Sequence, residues 1–123
     1  MNYREINLKA IHCFPELQES FESQFVFWGN KNPPQHCFLG NVFNKLLSKL
    51  LLDEKDVKTI NKIFAFYEEM AKCCDEEVRN LLQVTLLEYL WDEKIIFQRA
   101  EKYMLPETKK INDLIGEYLN KPE

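Results

Sequence analysis

Phe38-Leu39-Gly40-Asn41-Val42-Phe43-Asn44-Lys45-Leu46-Leu47-Ser48-Lys49-Leu50-Leu51 sets apolar doublets four residues apart, at 38/39, 42/43, 46/47 and 50/51. A spacing of four keeps successive pairs on one side of a helix with 3.6 residues per turn, which makes a single broad apolar stripe. A strand alternates every two residues and would send half of these side chains to the opposite face. The segment therefore reads as a helix with one side given to a core.

The same pattern extends towards the C-terminus. Asp53 or Asp56 can cap a helix that carries Val57, Ile60, Phe64, Tyr67 and Ala71 on one side, widened by Ile63 and Phe66. Asp75 is placed to cap the next helix, and Glu76 and Glu77 suit its positive end. From Val78 to Trp91 the apolar residues go almost all the way round, as in a buried helix, and this one is expected to be the spine of the core. Asp92 can cap a helix with Ile95, Ile96, Ala100 and Tyr103. Pro106 opens the last helix, with Ile111, Leu114, Ile115, Tyr118 and Leu119 at helical spacing.

Towards the N-terminus, Tyr3, Ile6, Ala10 and Cys13 suggest a short first helix. Pro15 suits the first turn of a second, where its missing N–H costs nothing. Leu17, Phe21, Phe25 and Trp28 recur at four, four and three residues and predict one apolar face. Gly29-Asn30-Lys31-Asn32-Pro33-Pro34-Gln35 cannot continue a helix and reads as a loop, either a plain connector or a contact surface. The expectation is an all-α, compact single-domain bundle of about seven helices over residues 1–123. Only three glycines occur, too few for a hairpin-rich β fold. At 46% apolar and 29% charged residues the chain has the composition of a globular protein rather than a disordered one.

Several function classes find no support in the residues. MNYREINLKA lacks a basic start followed by an apolar run, and the apolar run Leu50-Leu51-Leu52 is broken at once by Asp53-Glu54. A cytoplasmic protein with no membrane contact is expected. Four cysteines, Cys13, Cys37, Cys73 and Cys74, read as free thiols in a reducing compartment. Two follow histidines (His12-Cys13, His36-Cys37), but adjacent helical residues point about 100° apart and do not face one ion. No metal and no cofactor is expected. A Cys–His pair, Cys37 with His12 or Cys13 with His36, would still need an orienting group and an oxyanion site, and no glycine-rich turn offers one. No phosphate-binding, nucleophile-elbow or zinc-protease string is present. No catalytic residue is assigned. Glu88, if buried, is the one carboxylate expected in a perturbed environment, meeting a Lys, Arg or Tyr at the core edge.

Charge is unevenly spread. Residues 1–52 carry five Lys/Arg and four Asp/Glu, residues 53–93 five and eleven, and residues 94–123 six and five. The central third thus holds the entire excess behind the net charge of −4. Nucleic acid calls for a basic surface, so direct DNA or RNA binding is disfavoured. An acidic face would attract a basic protein and speed its encounter, although acidic residues also serve simply to cap and solubilise helices.

Asp75-Glu76-Glu77-Val78-Arg79, followed by Leu82, Leu86-Leu87 and Leu90, resembles the helix opening of HEAT-like repeats. That likeness implies HEAT-like helix pairs in which the acid caps, the valine packs and the arginine ties adjacent units, although no clean second copy is found. More widely, Phe14-Pro15-Glu16-Leu17, Phe38-Leu39-Gly40-Asn41-Val42-Phe43, Asp75-Glu76-Glu77-Val78-Arg79-Asn80, Glu88-Tyr89-Leu90 and Lys102-Tyr103-Met104 resemble small helical bacterial proteins similar to the immunity proteins of contact-dependent growth inhibition and other polymorphic toxin systems. The resemblance implies a protein that binds a cognate toxin domain, with a basic nuclease as the expected class, and blocks its active site or substrate surface. A helical adaptor or scaffold without a toxin partner is the alternative. The candidate contact residues are Trp28, Asp53, Glu54, Glu68, Glu69, Asp75, Glu76, Glu77, Asp92 and Glu93; Trp91, which ends an apolar run, reads as core.

Overall fold

The computed structural model describes residues 1–119. Seven helices form it, with no strand among the described residues. A 3₁₀ turn, Tyr3–Glu5, leads into α1 (Ile6–Cys13), and a second, Pro15–Leu17, leads into α2 (Gln18–Phe27). α3 spans Gln35–Asp53 and α4 Val57–Lys72. α5 begins as an α-helix at Glu76–Leu81, passes through a π-helical stretch, Leu82–Leu87, and ends as Glu88–Leu90. α6 (Lys94–Glu101) and α7 (Pro106–Leu119) complete it. No helix among the described residues is long and apolar enough to cross a membrane.

The doublets of α3 do what their spacing predicts. Phe38, Leu39, Val42, Phe43, Leu47 and Leu51 are buried, while Leu46 and Leu50 lie half-buried against them. α4 buries the middle of its stripe, Ile60, Phe64 and Tyr67, and the widening residues Ile63 and Phe66, because helices cover it on more than one side, while Val57 at its start is exposed and Ala71 near its end is half-buried. Phe14 meets Phe43 and Phe66 edge-on, at 5.3 and 5.8 Å between centroids, and Phe64 and Tyr67 continue the cluster at 5.4 Å. Such edge-to-face pairs add to the area they bury. The Tyr67 hydroxyl has no hydrogen-bond partner among the described residues, and burial pushes its pKa up.

Asp56 and Asp75 both cap. Asp56 accepts from the Thr59 N–H at 3.1 Å and Asp75 from the Glu77 N–H at 3.0 Å. Asp92 does not, contrary to expectation: α6 starts at Lys94, and its N-cap position is held by Glu93 without a side-chain hydrogen bond. The HEAT-like reading holds for the cap and for buried Val78, but Arg79 turns back to the Cys73 carbonyl just before its own helix. Trp91 packs its ring against Phe97 with centroids 4.1 Å apart and donates Nε1–H to Asn112 Oδ1 at 3.1 Å.

α5 is not buried all round. Within its π stretch the Glu88 N–H reaches the Gln83 carbonyl, five residues back, and each such turn adds a residue and shifts the phase of the helix beyond it. Leu82, Leu86, Leu87 and Leu90 stay inside, while Val84 and Tyr89 face water. α3 lies close against this stretch. A Cβ on Gly40 would come 2.8 Å from Thr85 Cγ2, and Asn44 Nδ2 donates to the Thr85 carbonyl at 3.1 Å. His36, one turn before Gly40, hydrogen-bonds Thr85 Oγ1 through Nδ1.

Candidate interaction surface

A bundle helix ordinarily gives one stripe to the core, but α2 buries no side chain between Gln18 and Phe27. Its attachment lies at its start. Leu17, in the preceding turn, is buried, and half-buried Phe21 meets Phe38 edge-on at 5.3 Å. Past Phe21 only Gln24 is half-buried, and Phe25, Val26, Phe27 and Trp28 are all exposed, Val26 by 69% and Phe27 by 80%. Four consecutive residues at about 100° each encircle a helix, so no rotation could hide them all. The expected core-facing stripe of Leu17, Phe21, Phe25 and Trp28 therefore stops at Phe21. Val26 and Phe27 are not predicted by helical spacing because they lie off that stripe; the unbroken apolar run is the signal that marks them.

This end is fixed in place. Gly29 has a φ of +73° and its N–H donates to the Val26 carbonyl at 3.1 Å, while the Asn30 N–H reaches the Phe25 carbonyl at 2.9 Å. These are the paired bonds of a Schellman terminus, and Asn30, also left-handed, is among the residues that tolerate such a φ. Beyond it, Asn7 Nδ2 donates to the Pro33 carbonyl at 2.9 Å, which ties the proline loop to α1. The Phe27 and Trp28 rings pack edge-on with centroids 5.6 Å apart. The result is a preorganised aromatic ridge. Glu16, Glu19 and Glu22 lie along the same helix and its lead-in turn, and residues 10–30 contain no Lys or Arg, a local imbalance that the totals for residues 1–52 conceal.

The ten candidates do not form one surface. Glu68 is withdrawn from any partner: it is buried, and its carboxylate accepts from the Glu107 N–H at 3.0 Å and from the Thr108 N–H and hydroxyl at 2.9 and 3.0 Å. Burial alone would raise its pKa, but these hydrogen bonds outweigh burial and hold it below the ordinary value. Glu54 is engaged by Lys102 Nζ at 2.9 Å and stands 3.7 Å from Arg99 Nε. Asp75 accepts from the Tyr3 N–H at 2.8 Å as well as capping α5, and the bond from Tyr3 leads the causes that lower its pKa. Asp53 accepts from the Lys55 N–H at 3.0 Å and is otherwise exposed. Glu69, Glu76, Glu77, Asp92 and Glu93 are exposed.

The expected single acidic face is thereby corrected. Glu76 and Glu77 stand at the start of α5, and Asp92 and Glu93 beyond its end. A helix of that length spans roughly 20 Å, more than two Debye lengths at physiological salt, so a partner meets two separate acidic ends. Glu88 accepts from the Tyr118 hydroxyl at the rim, and this carboxylate together with burial raises the Tyr118 pKa, burial being the larger cause. All four cysteines are free thiols, and no group of three or more His, Cys, Asp or Glu among the described residues is placed to hold a metal.

No curated protein and no solved structure matches the chain. The model of a family described as a domain of unknown function, DUF7674, matches residues 8–119. That match takes in α2 through α7 and nearly the whole of α1, and the chain belongs to the DUF7674 family.

Proposed function

We propose that this protein acts by binding another protein, with the exposed end of α2 as its contact surface, and that its task is to neutralise a cognate bacterial toxin domain in the cytoplasm without itself catalysing a reaction. The single observation that carries the reading is the run Phe25–Trp28, exposed at the end of a helix that has no fully buried side chain. Contiguous exposed apolar surface on a folded domain marks an interaction site, and aromatic anchors supply most of the energy at such sites. Because the Schellman terminus holds the ridge, little ordering entropy remains to be lost on docking. The three glutamates of the α2 region and the acidic ends of α5 favour a basic partner, such as a nuclease domain, and disfavour direct nucleic-acid binding.

The adaptor reading draws on a different observation. The split acidic excess suits two separate basic contacts better than the single cleft of a nuclease.

Co-expression with the protein encoded by the adjacent gene separates the readings. Neutralisation predicts restored growth and a stoichiometric complex, and the double substitution Val26→Ser, Phe27→Ser should abolish both while leaving the helical circular dichroism unchanged. Persistent growth arrest with the wild-type chain would contradict the toxin reading. A stable complex with a harmless neighbour would select the adaptor.

A further inference from the structure

Between the last turn of α3 and the connection from α5 to α6 runs an open groove lined by Ser48, Leu52, Tyr89, Asp92, Glu93 and Ile96. Its apolar part is partly unburied: Leu52 is 66% exposed and Tyr89 is exposed, with buried Ile96 beside them. Asp92 and Glu93 are exposed, and neither side chain is in an ion pair among the described residues.

Two helices end here. α3 stops at Asp53 and α5 at Leu90. A helix C-terminus carries roughly half a negative charge on its unsatisfied carbonyls. Arg99 already answers one of these ends, since its guanidinium donates to the Leu51 and Leu52 carbonyls. Among the described residues, no Lys or Arg side chain donates to the carbonyls at the α5 end or pairs with the two carboxylates. Negative potential from the helix end and the carboxylates therefore converges on a strip of apolar surface, and these two features together describe a cation carried on a hydrocarbon stem.

We propose that this groove receives an arginine side chain projecting from a protein partner. The stem lies on Leu52 and Ile96, the guanidinium plane meets the Tyr89 ring, and its N–H groups reach Asp92 and Glu93. Arginine fits better than lysine, because a planar fork of five donors can serve two carboxylates while stacking on an aromatic ring. A side chain fits better than a free metabolite, because four of the six lining residues, Leu52, Tyr89, Asp92 and Glu93, are themselves exposed and would leave much of an untethered ligand in water. The site is separate from the α2 ridge and does not depend on it.

Titration of ¹⁵N-labelled protein with Nα-acetyl-arginine amide tests the proposal, with acetyl-citrulline amide, acetyl-lysine amide and putrescine as comparators. Saturable shifts centred on Leu52, Tyr89, Asp92 and Glu93 are expected, with a Kd in the millimolar range, the scale of about −4 kcal/mol expected for a few contacts. The neutral citrulline isostere should bind at least fivefold more weakly, and Asp92→Asn combined with Glu93→Gln should remove the difference. Leu52→Asn, at an exposed position, should weaken arginine binding without disturbing the fold, and Val26→Ser, Phe27→Ser should leave it unchanged. Equal binding of citrulline, equal shifts at Glu76 and Glu77, or parity with lysine would overturn the proposal. Tighter binding of putrescine would assign the groove to free diamines and overturn it as well. None of these readings involves a toxin, so failed growth rescue and a failed groove remain separate results.

Discussion

Glu68 and Glu69 are chemically identical neighbours, yet Glu69 lies in water while Glu68 closes the N-terminus of α7 from the side of α4. A carboxylate is suited to that place, since the first N–H groups of a helix lack partners inside it and its dipole favours negative charge there. Glu68→Ala should destabilise the fold by about 2 kcal/mol, the upper range for a lost cap and the scale of hydrogen bonds to a charged group, read as a lowered denaturation midpoint with unchanged m-value. Glu68→Gln, of equal size, isolates the charge. The native pKa lies below the reference value of 4.5, so the stabilisation is complete above that pH and is lost as pH falls through the native value. Wild type should exceed Glu68→Gln in stability at pH 7 and converge with it in acid; a gap that widened in acid would refute the assignment. Spacing sets Glu68, four residues after Phe64 and three before Ala71, beside the apolar stripe and Glu69 well off it, but which groups Glu68 meets depends on how α7 crosses α4. The cap at Asp75 was legible, because it depends only on its own following turn, and that of α4 was narrowed to Asp53 or Asp56, of which Asp56 caps.

Where α3 crosses α5, His36, Gly40 and Asn44 follow one another at four-residue steps against Thr85, and the π stretch of α5 lies beneath them. A π turn alters the regular carbonyl pairing of a helix, and within this one the Thr85 carbonyl accepts from Asn44 Nδ2. In an open helix Gly→Ala stabilises by about 1 kcal/mol, but here the new methyl would meet Thr85 Cγ2 at 2.8 Å. Gly40→Ala should therefore destabilise, by about 1–3 kcal/mol as for other overpacked sites. In a Thr85→Ser background, which removes that methyl and keeps the hydroxyl, the same change should become neutral or stabilising. Chemical denaturation of the four proteins checks the sign, and a stabilising Gly40→Ala in the parent would contradict the close crossing. Apolar spacing revealed α3 because its stripe is regular over nearly four turns. It misjudged α5 because a π turn has no residue code of its own and resets the phase from within.

Across the whole molecule, the core is one continuous cluster that reaches from Ile6 to Ile115, and α2 is the helix that takes least part in it. Stability and binding should therefore separate. Val26→Ser with Phe27→Ser, at side chains already in water, should shift the unfolding free energy by no more than about 0.5 kcal/mol, as for other surface changes. Phe43→Ala, in the aromatic cluster, should cost about 3–5 kcal/mol. Thermal denaturation of both variants tests this division. The all-α class was legible because nearly every helix writes its buried stripe into the sequence. The binding surface was only partly legible: Trp28 was marked by the adjoining loop, but totals by segment hid Glu16, Glu19 and Glu22 and merged acids that stand at opposite ends of α5. The most direct test is the Kd of the purified chain for its partner domain, measured by calorimetry for wild type and for Val26→Ser, Phe27→Ser. Loss of two anchors of hot-spot size, about 2 kcal/mol or more, predicts binding weakened at least thirtyfold with the fold intact. A Kd within twofold of wild type would show that the partner docks elsewhere.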